Sequence, residues 1–320
     1  MRSLLIIFAI LSTVISGCNS GKHTKPKEVI IFHAGSLSVP FKQLASEYEK
    51  KNPGVKVLLE SAGSLVCARK ITELKKPCDI IASADYFVIN ELIIPDYASW
   101  SIRFATNEIV IGFQEKSKYA AEIDSLNWMA ILLRKDVTFS RSDPDSDPCG
   151  YRTVMTFKLA EKYYGLPGLA DKLTSKNKEF IRPKEVDLIA LIESNAVDYM
   201  FQYKSVAIQH NLKYIVLPDN INLGNPRKNE IYKSVSVEIT GSTPNSKMIA
   251  TGDYINYSLA VLRNAPESYA AIDFVSLLLS EEGMDIFRKN GQKPIIPFST
   301  DEPEMIPVAL NKYLKPQITK

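Results

Sequence analysis

Residues 28–51, EVIIFHAGSLSVPFKQLASEYEKK, contain the pattern from which the fold can be predicted. They run from a β-rich apolar stretch, through the turn AGSL at 34–37, into apolar residues at helical spacing. The same order recurs downstream, where the strand-like residues 55–60 lead through a second AGSL at 62–65 into another helical stretch. Because strands that alternate with helices form parallel βαβ units, both turns are predicted at the carboxyl edge of one sheet.

The rest of the chain continues this alternation. Strands are predicted over 79–82, 104–113, 198–202, 214–217, 231–239 and 254–261, and helices over 85–93, 126–133, 148–164, 186–195, 268–279 and 282–287. The runs 104–113 and 254–261 are interpreted as two strands that cross between lobes. A chain of 320 residues exceeds what one core usually supports, so lobe 1 is assigned to 28–106 plus 252–315 and lobe 2 to 107–251. Such an α/β chain is expected to bind its ligand in the interlobe cleft.

The N-terminal residues predict export. Arg2, the apolar stretch 4–15 and small residues before Cys18 are typical of a signal peptide over 1–17, too short for a membrane-spanning helix. The sequence ISGC that ends at Cys18 resembles the bacterial lipobox, which implies lipidation of that cysteine and a tether over 18–27. An ordinary secretory signal with a chance cysteine is the alternative. Either alternative places the body outside the cytoplasm, and the lipobox implies membrane attachment through the lipid alone.

Composition excludes two classes of function. A formal net charge of +3 without a basic stripe argues against a nucleic-acid partner, and three scattered histidines argue against a zinc carrier. The body has three cysteines, so one disulfide is possible. Cys67 follows the second AGSL turn and Cys149 follows Asp147, so these two are expected to pair if both turns contact one ligand, which leaves Cys78 free.

Each AGSL turn is a candidate anion site. Glycine allows close approach of a ligand, and Ser36 and Ser64 supply hydroxyl donors beside the free N–H groups of a helix N-terminus. Helix capping by serine explains one such turn equally well. Two copies on successive turns favour anion binding.

Three acidic or aromatic residues are weaker candidates. Asp147 is predicted at the N-cap of a helix with Pro148 at its first position, and Glu185 lies in the first turn of another helix. Capping and the helix dipole explain both carboxylates without a ligand. Tyr203, at the end of a strand-like run, is explained by core packing.

Several long motifs follow one another along the chain: FHAGSLSVPF, SAGSL with CARKITEL, ASADY, DPCGYR, IRPKE and LLLSEEG. Together they resemble the archaeal-type tungstate/molybdate-binding proteins, over nearly all of 29–298. The resemblance implies a type II periplasmic-binding-protein fold that works without cofactor or catalysis, as a monomer, and delivers its oxyanion to an ABC-type permease with its ATPase. The residues that it implies for the oxyanion are Ser36, Leu37, Ser64, Asp147, Pro148, Cys149, Glu185 and Tyr203.

The resemblance also implies that the carboxylates of Asp147 and Glu185 reach the metal atom of the oxyanion. Carboxylates repel a simple dianion, and no arginine or lysine clamp is evident in the sequence. A hexavalent tungsten or molybdenum centre is a hard Lewis acid that accepts further oxygen ligands, whereas the sulfur of sulfate does not. The carboxylates are therefore expected to lower the affinity of the site for sulfate. The sequence does not distinguish tungstate from molybdate.

Parts of the sequence are compatible with two rival functions. His33, Ser36 and Asp147 could form a hydrolase triad, although the sequence has no G-x-S-x-G elbow. A binding protein for sulfate, phosphate or an organic anion is the second rival, and its site would hold the anion without direct carboxylate ligands.

Overall fold

The computed structural model describes residues 26–314 except 242 and 244. The predicted signal peptide and most of the tether, with the lipidation site Cys18, lie outside the described residues. Within the described part of the chain, no helix combines the length and hydrophobicity needed to cross a bilayer.

A six-stranded mixed sheet forms the larger of the two lobes, with strand order β12-β4-β11-β3-β1-β2. Its strands are β1 Lys27–Ala34, β2 Val55–Ala62, β3 Ile80–Ser83, β4 Ile102–Thr106, β11 Asn256–Val261 and β12 Lys293–Ser299. Strands β1, β2 and β3 are parallel, whereas β11 runs antiparallel to β3. The register pairs Ala34 with Ala62, so the two AGSL turns leave neighbouring strands at the same level. The prediction that both turns share one edge is confirmed.

The second lobe is built on a four-stranded sheet of order β6-β7-β5-β8 and a separate antiparallel hairpin of β9 and β10. These strands are β5 Ile109–Phe113, β6 Phe139–Ser140, β7 Tyr199–Tyr203, β8 Lys213–Val216, β9 Ser236–Thr240 and β10 Lys247–Thr251. All of them come from residues 109–251, between the two parts of the chain that form the larger sheet. The assigned lobe boundaries themselves stay a prediction.

Eleven α-helices in the described residues flank these sheets. They are α1 Ser38–Lys51, α2 Ser64–Thr72, α3 Tyr86–Leu92, α4 Trp128–Leu132, α5 Pro148–Tyr164, α6 Leu169–Ser175, α7 Leu188–Glu193, α8 Lys204–Gln209, α9 Asn229–Tyr232, α10 Ser268–Leu279 and α11 Glu281–Lys289. Single 3₁₀ turns include Gly35–Leu37 and Glu185–Asp187. The longest helix, α5, has the predicted start and end, because Asp147 caps it and Gly165 adopts the left-handed conformation after it.

Three strand predictions are corrected. The run 104–113 is two strands, because the Asn107 side chain accepts the Glu108 N–H and the ladder ends there. The strand predicted over 231–239 begins only at Ser236, after helix α9. The second crossing lies before β11, since all of Asn256–Val261 pairs within the larger sheet.

The cysteines differ from expectation in one respect. Cys67 and Cys149 are free and buried, so the expected disulfide is wrong, and Cys78 is likewise a buried thiol. The Cys67 sulfur lies 3.6 Å from the His33 carbonyl oxygen, and the Cys149 sulfur lies 3.9 Å from Oε1 of Gln202. Each sulfur packs within its own lobe, and burial raises the pKa of both thiols.

Candidate functional site

The two glycine-serine turns are the part of the candidate site that lobe 1 contributes. Ser36 lies in the 3₁₀ turn that precedes α1, and Ser64 is the first residue of α2. Both serines are fully buried. Neither acts as a side-chain N-cap, because Ala34 and Gly63 occupy the cap positions without a side-chain hydrogen bond. The capping explanation therefore does not account for either hydroxyl.

Both serine hydroxyls accept a hydrogen bond from lobe 1. The Ser36 oxygen accepts from the Tyr257 hydroxyl at 3.0 Å, and the Tyr257 oxygen accepts in turn from the Asn107 amide at 3.0 Å. The Ser64 oxygen accepts from the Ala84 N–H at 3.0 Å. With their oxygens engaged in this way, the two O–H groups remain free to donate to the oxygens of an anion.

Lobe 2 contributes two buried carboxylates. Asp147 caps α5 by accepting the Cys149 N–H at 3.2 Å, and Pro148 occupies the first helical position, where no N–H is needed. Glu185 lies in a 3₁₀ turn before α7, and its carboxylate accepts the N–H of Ser36 from the other lobe. Both carboxylates are fully buried. The structure thus brings the two acidic candidates to the serine turns.

The glycines of the two turns allow the lobes to meet. A β-carbon on Gly63 would lie 2.2 Å from the carbonyl oxygen of Ser146, and one on Gly35 would lie 2.7 Å from Glu185 Oε2. Gly63 has φ −59°, which any residue can adopt, so the requirement for glycine there is one of space. The sequence predicted close approach of a ligand. The structure shows close approach of the opposite lobe.

Three buried oxygens of the site have no hydrogen-bond partner among the described residues: Asp147 Oδ2, Glu185 Oε2 and the Tyr203 hydroxyl. Buried polar atoms are rarely left in this state. Burial, reinforced by the nearby Glu185 carboxylate, raises the pKa of Asp147 well above its ordinary range. Burial also raises the pKa of Tyr203, so its hydroxyl keeps its proton and can donate.

The remaining predicted residues surround these groups. Leu37 and Cys149 are fully buried at the starts of α1 and α5. Gln202 joins the elements of lobe 2, because its amide donates to the Glu185 carbonyl at 2.7 Å and its oxygen accepts the Tyr203 N–H at 2.7 Å. All eight predicted residues are buried, at the ends of elements that meet across the cleft.

Sequence reasoning missed a buried arginine beside the site. Arg152 lies one helical turn after Pro148 on α5, is 2% exposed, and its positive charge acts on Tyr203. It forms an ion pair with Asp85 of lobe 1 at 2.7 Å. The motif DPCGYR contains this arginine, but the sequence alone does not show that it is buried or which partner neutralises it.

The hydrolase geometry is not formed. The His33 ring donates from Nδ1 to the carbonyl of Ala34 at 2.8 Å and stacks on Phe41, with ring centroids 5.5 Å apart. Burial lowers the pKa of His33 to about 4. The Ser36 hydroxyl is bonded to Tyr257 instead. No hydrogen bond joins His33 to Ser36 or Asp147, all of which lie within the described range 26–241.

Comparison with known proteins places this architecture in a family. Residues 29–293 match the family model described as bacterial extracellular solute-binding protein. The chain belongs to this family. A relative from Pyrococcus abyssi, named molybdate/tungstate-binding protein WtpA, is 47% identical over 330 residues, with 93% of each chain covered. A protein of the same name from Thermococcus kodakarensis is 43% identical over 323 residues, covering 91% of this chain and 90% of its own.

Solved structures show the same fold for this solute-binding protein. The periplasmic molybdate-binding protein of Azotobacter vinelandii superposes with a TM-score of 0.62 at 18% identity, over 82% of this chain and 98% of its own. The sulfate-binding protein SubI of Mycobacterium tuberculosis gives a TM-score of 0.61 at 12% identity, over 84% of this chain and 87% of its own. The two-lobe, type II periplasmic-binding-protein fold is thereby confirmed.

Proposed function

We propose that this protein captures tungstate or molybdate in the interlobe cleft, without catalysis and without a resident cofactor. The observation that carries the proposal is the pair of buried carboxylate oxygens, Asp147 Oδ2 and Glu185 Oε2, that have no hydrogen-bond partner among the described residues. Once ionised, carboxylate oxygens are suited to a Lewis-acidic metal centre, which would take the place of the proton that burial and the Glu185 carboxylate favour on Asp147. An ionised carboxylate is unsuited to the oxygens of a simple anion. The names of the two archaeal relatives support the same ligand class.

In this proposal residues of both lobes bind the oxyanion. Lobe 1 supplies hydroxyl donors from Ser36 and Ser64 to the oxo groups. The Tyr203 hydroxyl of lobe 2 is a third donor, with no partner within residues 26–241, 243 and 245–314. Asp147 and Glu185 supply oxygen ligands to the metal. In this proposal Leu37, Pro148 and Cys149 shape the wall at the two helix starts, and Pro148 has no N–H to donate.

A thermal-shift screen tests the ligand class. Tungstate and molybdate are each expected to raise the melting temperature of the purified protein, because a ligand at a thousandfold excess over its dissociation constant adds about 4 kcal/mol to the free energy of unfolding. Sulfate and phosphate are expected to leave the melting temperature unchanged. A rise with sulfate or phosphate equal to that with tungstate would establish the rival anion-binding function.

The proposed partner is the permease and ATPase of an ABC importer, which would receive the oxyanion from a monomeric binding protein held outside the cytoplasm. The family of extracellular solute-binding proteins supports this location. In the proposal a lipid on Cys18 holds the protein at the membrane surface.

The anchor has its own test. Cys18→Ala is expected to remove the lipid and to release the protein from the membrane fraction, because the described residues offer no helix that could replace the anchor. Labelled fatty acid incorporation and fractionation of cells that express both forms would measure this. An unlipidated Cys18→Ala protein that still sediments with membranes would contradict the anchor.

A further inference from the structure

One buried cluster joins the lobes outside the proposed ligand set. Asp85 follows β3 in lobe 1, and Tyr151 and Arg152 lie on α5 in lobe 2. The Oδ2 atom of Asp85 accepts from the Tyr151 hydroxyl at 2.6 Å, from Arg152 Nη2 at 2.7 Å and from Arg152 Nε at 3.2 Å. A single carboxylate oxygen of lobe 1 therefore holds two consecutive residues of lobe 2.

The burial of this cluster is unusual for the molecule. The Arg152 and Asp85 side chains are 2% and 7% exposed. In no other ion pair among residues 26–241, 243 and 245–314 are both side chains less than 10% exposed. Surface ion pairs contribute little, but breaking a buried pair by removing one partner is strongly destabilising. If the lobes separate, both charges return to water and the pair loses its geometry. The contact thus depends on closure.

The position of the cluster couples it to the ligand site. Arg152 lies on the first turns of α5, and the N-cap of the same helix is Asp147, one of the two proposed metal-ligating carboxylates. Closing the Asp85 contact therefore brings the start of α5 onto lobe 1. The other Asp85 oxygen, Oδ1, caps α3 by accepting the Phe87 N–H at 3.1 Å, which fixes the carboxylate within lobe 1.

We propose that Asp85, Tyr151 and Arg152 form an interlobe latch that stabilises the closed state and slows release of the ligand without selecting which ligand is bound. The proposal rests on the proposed function for the presence of an oxyanion in the cleft. Binding proteins of this type close by rotation of their lobes. A contact made only in the closed state shifts that equilibrium toward closure, and a ligand that must wait for opening leaves more slowly.

The variants are chosen to separate the latch from folding. Asp85→Asn keeps an N-cap side chain for α3 but removes the charge that holds Arg152. Tyr151→Phe removes one hydroxyl, and Arg152→Met removes the guanidinium. Tyr48→Phe is the matched control, because the buried Tyr48 hydroxyl donates to the Ala270 carbonyl at 3.0 Å entirely within lobe 1.

Release is measured by loading purified protein with radiolabelled tungstate and chasing with excess unlabelled tungstate. Asp85→Asn and Arg152→Met are expected to raise the dissociation rate at least tenfold, and Tyr151→Phe a few fold. The Asp85→Asn/Arg152→Met double variant should release no faster than the faster single variant, because both substitutions break one contact. The Tyr48→Phe rate and the preference for tungstate over sulfate in every variant should match those of the wild type.

Small-angle scattering without added ligand gives a readout that does not depend on tungstate. The Asp85→Asn and Arg152→Met proteins should have a larger radius of gyration than the wild type and Tyr48→Phe. Provided that the wild-type protein binds tungstate, unchanged dissociation rates in both variants would overturn the latch. If the wild-type protein does not bind tungstate, the proposed function fails. The latch would then be overturned separately by a radius of gyration in both variants equal to that of the wild type.

Discussion

Replacing either buried carboxylate by its amide is expected to weaken tungstate binding sharply. Asp147→Asn and Glu185→Gln keep the shape of the side chain and one oxygen, but an amide is a poorer ligand for a hard metal centre than a carboxylate. Loss of one partner of a buried charged interaction typically costs about 2–5 kcal/mol, so each variant should bind tungstate about thirtyfold or more weakly than the wild type. Isothermal titration calorimetry of both variants measures this loss.

The sign of the change distinguishes two mechanisms. If the site held its anion by electrostatics alone, removal of a negative charge would tighten the binding of every dianion. If the carboxylates coordinate the metal, the amide variants should bind tungstate more weakly than the wild type. They should bind sulfate slightly more tightly, because sulfate is only repelled by the carboxylates. Glu179→Gln is a suitable control, because this carboxylate lies in lobe 2 in a separate 3₁₀ turn and is exposed. Tighter tungstate binding by both site amides would show that the carboxylates are not ligands.

Gly63→Ala is expected to abolish tight binding by holding the lobes apart. Its added methyl would lie 2.2 Å from the Ser146 carbonyl oxygen, and this is backbone of the opposite lobe. Alanine adopts the observed φ of −59° without strain, so lobe 1 should fold with a free energy of unfolding within about 1 kcal/mol of wild type. Affinity for tungstate should fall by about a hundredfold or more, since a closed site is needed for contacts from both lobes.

The comparison variant for this steric effect is Gly112→Ala in β5. The added methyl there would approach only side chains, with the Met200 methyl nearest at 3.2 Å. Scattering with saturating tungstate should show compaction of wild type and Gly112→Ala but not of Gly63→Ala. Compaction and wild-type affinity in Gly63→Ala would mean that the lobes do not meet at the second AGSL turn in the bound state.

Local sequence patterns predicted the parts of the site that belong to one element. The repeated AGSL turns identified the carboxyl edge of the larger sheet, and Asp147 with Pro148 gave the start of α5. These features depend on residues close together in the chain, where turn and capping chemistry act directly. The proposed oxyanion residues were assigned with help from the family resemblance, since capping or packing explained Asp147, Glu185 and Tyr203 equally well.

Contacts between distant elements were not predictable in the same way. The bond from Asp85 to Arg152 and the chain from Asn107 through Tyr257 to Ser36 depend on how two lobes are placed against each other. The strand predicted over 231–239 was wrong in its first part because helix α9 interrupts the alternating pattern. Strand β12 was not predicted because it contains two prolines, which only an edge strand tolerates. Cys67 and Cys149 remain apart because each packs in its own lobe.

The cleft is expected to select tungstate or molybdate by combining hydroxyl donors to the oxo groups with carboxylate ligands to the metal. The most direct measurement is a calorimetric titration of the purified protein with tungstate, repeated in the presence of a large excess of sulfate. Tungstate is expected to bind one equivalent per chain, with a dissociation constant that the sulfate does not change. A sulfate excess that weakens tungstate binding in proportion to its concentration, or a titration with no tungstate binding at all, would contradict the claim.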